Sequence, residues 1–347
     1  MALSKIDTTN MIEDVPQSKL DNNINFRNII INGDMSIAQR STSASSITSS
    51  GYHALDRHRL AISSLGTWTI SQSTDVPSAQ GFAKSMKFDC TTADASPSAS
   101  DVMWVQHRIE GQNLQYLKKG TSSAEKTTLS FWVKSNKTGT YIAELEDTDN
   151  SRHIAKSYTI SSSDTWEKKT ITFDGDTTGT LTNDNNTSLE LHLYLGAGTD
   201  YTSGTLATSW ASNTDANRAV GQVNLADSTS NEWYITGVQL EAGTTASDFE
   251  FLPVDVNKNR CFRYFEKNSG DAYLQFFLRA QTNESTLCSQ NIYFKQEMRA
   301  NPTFTFTSSN YTPNNVDPAK KYIMVYGTTT SSGSTARIND YEADAEL

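Results

Sequence analysis

Between Phe26 and Pro253, short apolar stretches alternate with polar positions and are parted by clusters of Ser, Thr, Asn, Asp and Gly. Leu129, Phe131 and Val133 fall on one side of an extended chain, and Ser130, Trp132 and Lys134 on the other, the period of two of a half-buried strand. The same pattern marks His58–Ser63, Thr67–Gln72, Ser85–Cys90, Val102–Glu110, Tyr141–Leu145, Ile154–Ile160, Glu167–Phe173, Leu189–Leu195 and Glu232–Leu240. Turn signals at Asn136-Lys137-Thr138-Gly139, Asp174-Gly175-Asp176 and Asp184-Asn185-Asn186 separate several of them, so the expectation for 26–253 is an all-β sandwich of two antiparallel sheets. Residues 1–25 are polar, contain Pro16 and carry only isolated hydrophobes; such a segment orders against a partner and reads as an arm.

The pattern changes after Pro253. With Asp255 as N-cap, Cys261, Tyr264 and Phe265 share one face of a short helix, and 254–267 read as a helical linker. Strands return at Ala272–Arg279, Gln290–Phe294, Thr303–Thr307, Tyr322–Tyr326 and Ala336–Asp340, giving a small C-terminal β-domain over 268–347. A unit of about 80 residues builds a marginal core alone. Tyr273, Phe276, Phe277 and Tyr293 are more aromatic surface than it could bury on both faces. Association would cover them.

Composition narrows the partners. A chain of 347 residues with 36% hydrophobic residues can fill two ordinary domains if its strands are half-buried. The net charge of −10 sets the surface against a polyanion, so no nucleic acid is expected; Arg57-His58-Arg59 and Lys118-Lys119 read as solvated rims. Cys90, Cys261 and Cys288 lack metal-ligand spacing and read as reduced thiols. No apolar run approaches the ~20 residues of a spanning helix, so no membrane insertion is expected. Met1–Asp7 has no secretory pattern, which points to assembly in a cytoplasm.

Asn28-Ile29-Ile30-Ile31-Asn32-Gly33-Asp34-Met35-Ser36-Ile37-Ala38-Gln39-Arg40 resembles the opening of the β-sandwich domain of bacteriophage tail fibres and other virion adhesins. Gly237-Val238-Gln239-Leu240-Glu241-Ala242-Gly243, continuing to Pro253, resembles that domain's closing strand. Between them Ser130–Lys134, Trp166–Phe173, Leu191–Gly196 and Ile235–Glu241 follow in the order seen in jelly-roll carbohydrate-binding modules, with a Ser/Thr/Asn-rich insertion at Thr199–Ser230 as a departure. Arg260–Lys267 is similar to the fibre linker, and Glu297–Thr303 and Ala343–Leu347 to the fibre C-terminal domain. The resemblance implies a virion protein, assembled in the host cytoplasm as a homotrimer. It would dock on other virion tail proteins through its arm and adhere to a host surface glycan or lipopolysaccharide. It implies no enzyme and no cofactor. The alternatives are a structural virion component without receptor binding and a glycan-degrading tail spike.

Sugar recognition needs flat aromatic faces beside amide or carboxylate groups. Trp132, facing away from Phe131, is the first candidate; Trp104 with His107, and Trp210 with Tyr201 in the insertion, follow. The C-terminal loops Asn268–Asp271, Asn310–Asn314 with Tyr311, and Thr328–Ser334 are the competing location and the one preferred on geometry, since a fibre held by its arm presents its far end. For metal, Asp147-Thr148-Asp149-Asn150-Ser151 begins like an EF-hand but has Arg152 where glycine is needed and Tyr158 where glutamate is needed. The calcium that jelly-roll modules often hold would fall at Asp34 and Glu241; carboxylates there equally cap turns, and no metal is assigned. No GxSxG, HExxH, P-loop or GxGxxG is present.

Overall fold

A computed structural model describes residues 26–268, 274–276, 287–329 and 336–347. The arm at 1–25, Tyr273 and Phe277 lie outside the described residues, as does the Phe276 side chain. In chain order the sandwich strands are β1 Ser43–Ile47, β2 Arg59–Ser63, β3 Thr67–Ser73, β4 Ser85–Thr92, β5 Val102–Glu110, β6 Thr127–Ser135, β7 Gly139–Asp147, β8 Arg152–Ile160, β9 Glu167–Phe173, β10 Thr187–Ala197, β11 Ala211–Ser212 and β12 Glu232–Ala242. They form two six-stranded sheets, β1-β3-β4-β12-β6-β9 and β11-β8-β7-β10-β5-β2, in a jelly-roll sandwich.

The core follows the period of two. Leu129, Phe131 and Val133 of β6 are fully buried between the sheets with Trp68, Phe88, Phe173 and Trp233. Opposite them Val105 and Ile109 of β5 and Leu191 and Leu193 of β10 fill the second inner face. Removing a ring such as that of Phe131 would cost about 3–5 kcal/mol through lost burial and the cavity left behind.

The opening segment and the closing strand meet. Ile29 N donates to Leu240 O at 2.9 Å and Val238 N to Gly33 O at 2.9 Å. A Cβ at Gly33 would stand 2.1 Å from the Val238 carbonyl oxygen, so only glycine allows this approach. The register of β12 shifts between Thr236 and Gln239, where Gly237 takes a φ of 63°. Asn28 and Asn32 are buried and spend their amides on this backbone: Asn28 Nδ2 donates to Val238 O, and Asn32 Nδ2 to Ile37 O and Asp56 O. Asp34 and Glu241 are engaged with protein groups: Asp34 Oδ1 accepts from Ser36 and Asn257, and Glu241 accepts from Ser247 and Gln239 and forms an ion pair with Arg27 at 3.5 Å.

Helix α1 spans Val254–Phe262. Its N-cap is Pro253 and Asp255 sits in its first turn, where a carboxylate favours the helix dipole, in place of the expected Asp255 cap. It stops before Phe265, which opens a strand, so the helical part of 254–267 is shorter than expected. Cys261 and Tyr264 are buried with Ile31, Ile37 and Leu347.

The C-terminal strands are β13 Phe265–Asn268, β14 Leu274–Phe276, β15 Leu287–Tyr293, β16 Thr303–Ser309, β17 Tyr311–Pro318, β18 Tyr322–Thr329 and β19 Ala336–Asp344. β19 pairs with β13, β14 and β16, while β15, β18 and β17 form a second sheet around Ile292, Ile323, Val325 and Ile338. Ionic contacts fix this domain to the sandwich: buried Arg57 pairs with Glu346, Arg40 with Asp344 at 3.0 Å and Glu346 at 3.3 Å, and Arg263 with Glu110 at 2.7 Å. Among the described residues no helix is long and apolar enough to cross a membrane.

Candidate functional site

The outward faces of the two sheets differ in what lies on them. On the first sheet, Tyr234 of β12 stands between Lys87 of β4 and Lys134 of β6. The Lys134 ammonium is 4.4 Å from the Tyr234 ring centre; Lys134 and the Trp166 indole both bind Asp75, and Tyr234 and Lys87 both bind Glu232. Trp132 stands across from Thr236 and Lys168, half-buried, and its indole N–H has no hydrogen-bond partner among the described residues.

On the second sheet the outward residues form cross-strand rows. One runs Arg59 of β2, Gln106 of β5, His192 of β10 and Glu144 of β7; the next runs Arg108, Glu190, Glu146 and His153. The insertion lies over them. Ala155 N donates to Ala207 O at 2.7 Å and Val223 N to Thr140 O at 2.9 Å, while Ile142, Ala155, Tyr194 and Ala219 form a small apolar cluster beneath it. Arg218, also from the insertion, reaches down to Glu144 at 2.9 Å and Glu146 at 2.6 Å.

Glu144, wholly buried, is the hub. His153 Nδ1 lies 2.7 Å away, His192 Nδ1 2.9 Å and the Tyr194 hydroxyl 2.9 Å. Burial works against its charge, but hydrogen bonds from His153 and His192, with the charge of Arg218, outweigh it and hold the carboxyl well below the usual range. Burial likewise opposes the His192 imidazolium, yet its hydrogen bonds to Glu144 and Glu190 push its pKa up to about 9. Burial opposes the charge of Glu190 too, but the hydrogen bond and charge of His192 outweigh it and hold the carboxyl below its ordinary value. Ligand atoms of Glu144, Glu146 and His192 lie within 4.8 Å of one another, a spacing a metal could use. Arg218 is already bound to both carboxylates, and its guanidinium supplies the cation there.

Solvent reaches this face at the margin of the insertion. Trp104 of β5 is half-buried, with its ring centre 5.3 Å from Tyr194, 5.2 Å from His192 and 6.5 Å from Tyr201 of the insertion, and the Arg218 guanidinium 5.7 Å away. Two residues along that face, Arg59 donates to Gln106 Oε1 at 2.8 Å and has no carboxylate within ion-pair distance among the described residues. Rings, an unpaired guanidinium and a fixed polar floor share this face.

The expected pairings are redrawn. Trp104 and His107 do not meet: three residues apart on a strand, they face opposite sides. His107 is buried on the inner side, its ring 5.4 Å from His58 and its Nε2 3.3 Å from Ile31 N. Trp210 and Tyr201 are also parted, since Trp210 packs against the main core with its indole on Asp174 O at 2.6 Å and the Lys119 ammonium 3.4 Å from its ring. Tyr201 joins Trp104 instead. Tyr311 is no loop residue: it begins β17 and is buried in the C-terminal core. Asp147-Thr148-Asp149-Asn150 forms the turn of the β7–β8 hairpin, with Asn150 N bound to Asp147 at 3.0 Å. The sequence reading missed Arg218, Glu144, His192 and Glu190; the alternation Leu189-Glu190-Leu191-His192-Leu193-Tyr194 already placed the last two on the outward face with Tyr194.

No family model matches the chain, and no curated protein does. Among solved structures it is similar to the enzymatically active domain of tailspike protein 4 of bacteriophage CBA120, with 13% identity and TM-score 0.33 over 62% of this chain and 22% of that one. It is similar to a protein described as sugar-binding from Bacteroides thetaiotaomicron, with 15% identity and TM-score 0.33 over 62% of this chain and 100% of that one. It is also similar to the carbohydrate-binding module TmCBM61 in complex with β-1,4-galactotriose, with 9% identity and TM-score 0.32 over 62% of this chain and 99% of that one. At this identity and superposition the likeness bears on neither ligand nor activity.

Proposed function

We propose that the chain is a glycan-binding adhesin of a bacteriophage tail fibre, and that it holds a host surface saccharide at the margin of the second sheet's outer face. One observation carries this reading: Trp104 and Tyr201, from distant parts of the sequence, converge on the outer face, and the unpaired Arg59 stands on that face two residues along, opposite Gln106. Rings can cover the C–H faces of a sugar while the guanidinium binds its hydroxyls or acidic groups. The fibre assignment draws on the opening and closing motifs, whose hydrogen-bonded meeting at Gly33 and Val238 explains why both are present.

In this reading the protein resides on the virion, docks on other tail proteins through residues 1–25 and assembles in the host cytoplasm as a homotrimer. Tyr293 and Tyr322, exposed by 69% and 37% with ring centres 5.8 Å apart, offer apolar surface for that association. Binding without bond cleavage is proposed because the carboxylates of Glu144 and Glu190 are already engaged by His192, His153 and Arg218 within the protein.

The test is binding of labelled full-length protein to host cells. The double variant Trp104→Ala, Tyr201→Ala is expected to bind at least tenfold less, with Trp132→Ala unchanged. Binding by neither variant nor parent would favour a structural virion component, release of reducing ends a tail spike, and a monomer in light scattering would remove the trimer.

A further inference from the structure

A cavity of about 440 Å³ opens where the segment from Phe26 to Ile31, helix α1 and the end of β5 meet. Here β5 has an unpaired edge, because β2 pairs with it only as far as Gln106. Three arginines line the space, on a chain whose net charge is −10. Two are neutralised: Arg263 binds Glu110 through two hydrogen bonds of 2.7 Å, and Arg108 lies 3.0 Å from Glu190.

Arg260 is different. Among the described residues its hydrogen bonding is one long contact of 3.4 Å to the carbonyl of Asn28, and no carboxylate lies within ion-pair distance. Burial presses its pKa below the ordinary arginine value and outweighs the opposing charge of Glu250, which lies beyond ion-pair distance and is bound to the backbone N–H groups of Phe26 and Asn28. His107, the inner-face histidine, also lines the cavity; its burial keeps it neutral, so it adds no charge. At the rim stand Phe26 and Tyr116, exposed by 60% and 49%.

We infer that this cavity receives the anionic substituent of an acidic saccharide, a carboxylate or a phosphate, on Arg260, with the sugar ring against Tyr116 and Phe26. The inference rests on the glycan-binding reading and names the substrate class. Arg108 connects the two places. It stands in the outward row with Glu190 and also lines the cavity. Trp104 and Arg108 are four residues apart on one strand, about 13 Å, within the span of a short oligosaccharide. A phosphate or carboxylate suits a guanidinium through paired N–H donors.

Calorimetric titration of the full-length protein with trigalacturonate, neutral α-1,4-galactotriose and glucose 6-phosphate tests this. At least one anionic probe is expected to bind tenfold or more tightly than the neutral one, and which of the two binds identifies carboxylate or phosphate. Arg260→Gln should abolish that preference, Arg260→Lys should restore part of it, and Tyr116→Ala should weaken binding while leaving the preference, with thermal unfolding checking each fold. A preference that survives Arg260→Gln overturns the site. So does the failure of both anionic probes while host-cell binding persists, and that outcome leaves the glycan reading standing. Loss of cell binding by the parent protein overturns the glycan reading itself.

Discussion

The two outer faces of the sandwich solve the same problem in opposite ways. The first leaves its lysines and carboxylates in contact with solvent, where Lys134–Asp75 and Lys87–Glu232 are ordinary surface pairs laid over Tyr234 and Trp166. The second has its charges sealed under the insertion, where Glu144, His192 and His153 lose water and must find every partner within the protein. Similar side chains thus have different weight. On the first face a charge can be removed with little consequence, whereas under the insertion Glu144, His192 and Arg218 are each held because another charge is buried with them.

The largest break in that contrast should come from Arg218→Met. It leaves Glu144 buried without its guanidinium and is expected to cost about 3–5 kcal/mol in urea denaturation. Faster amide exchange at Ala155 and Val223 would show the insertion lifting from the sheet; an unchanged midpoint would mean that the network contributes nothing net. A pH series sharpens the comparison next. The folded pKa of His192 is raised to about 9 from an ordinary 6.5, so its contribution is full below pH 6.5 and is lost as pH rises through 9. His58 is shifted the other way, its burial lowering it to about 4, so its contribution is present above pH 6.5 and is lost as pH falls to 4. The thermal midpoint should therefore be highest near pH 6.5, and His192→Gln should flatten the alkaline limb alone. The smallest effects belong to the open face: Lys134→Ala is expected to cost about 0.2–1 kcal/mol, further reduced in high salt. A loss there as large as that of Arg218→Met would erase the distinction between the faces.

What the sequence made legible follows from the same physics. Strands with one polar and one apolar face announce themselves by alternation, and β2 to β10 and β12 are all visible in that way, even where the polar face is itself covered, as on β10. β1 reads Ser-Ala-Ser-Ser-Ile and β11 is two residues long, so neither has a period to detect. β17 contains Pro313 and reads as a loop; its register shifts between Pro313 and Asn315, which lets the proline sit in a strand. Trp104 and His107 could have been separated by counting, because an odd spacing on a strand puts them on opposite faces. The convergence of Trp104 with Tyr201 could not, since it depends on where the insertion folds back. Nor does any local pattern show that Arg218 will meet Glu144 across 74 positions of sequence.

The chain enters the sandwich beside the place where its C-terminal domain attaches. Gln39 Nε2 donates to Phe265 O, Lys267 to Arg40 O, and Arg40 and Arg57 grip Asp344 and Glu346. In mechanical terms this junction is a single node from which both domains hang. A pull applied between Phe26 and the C-terminal domain loads these ion pairs, α1, and the hydrogen bonds that tie the opening segment to β12.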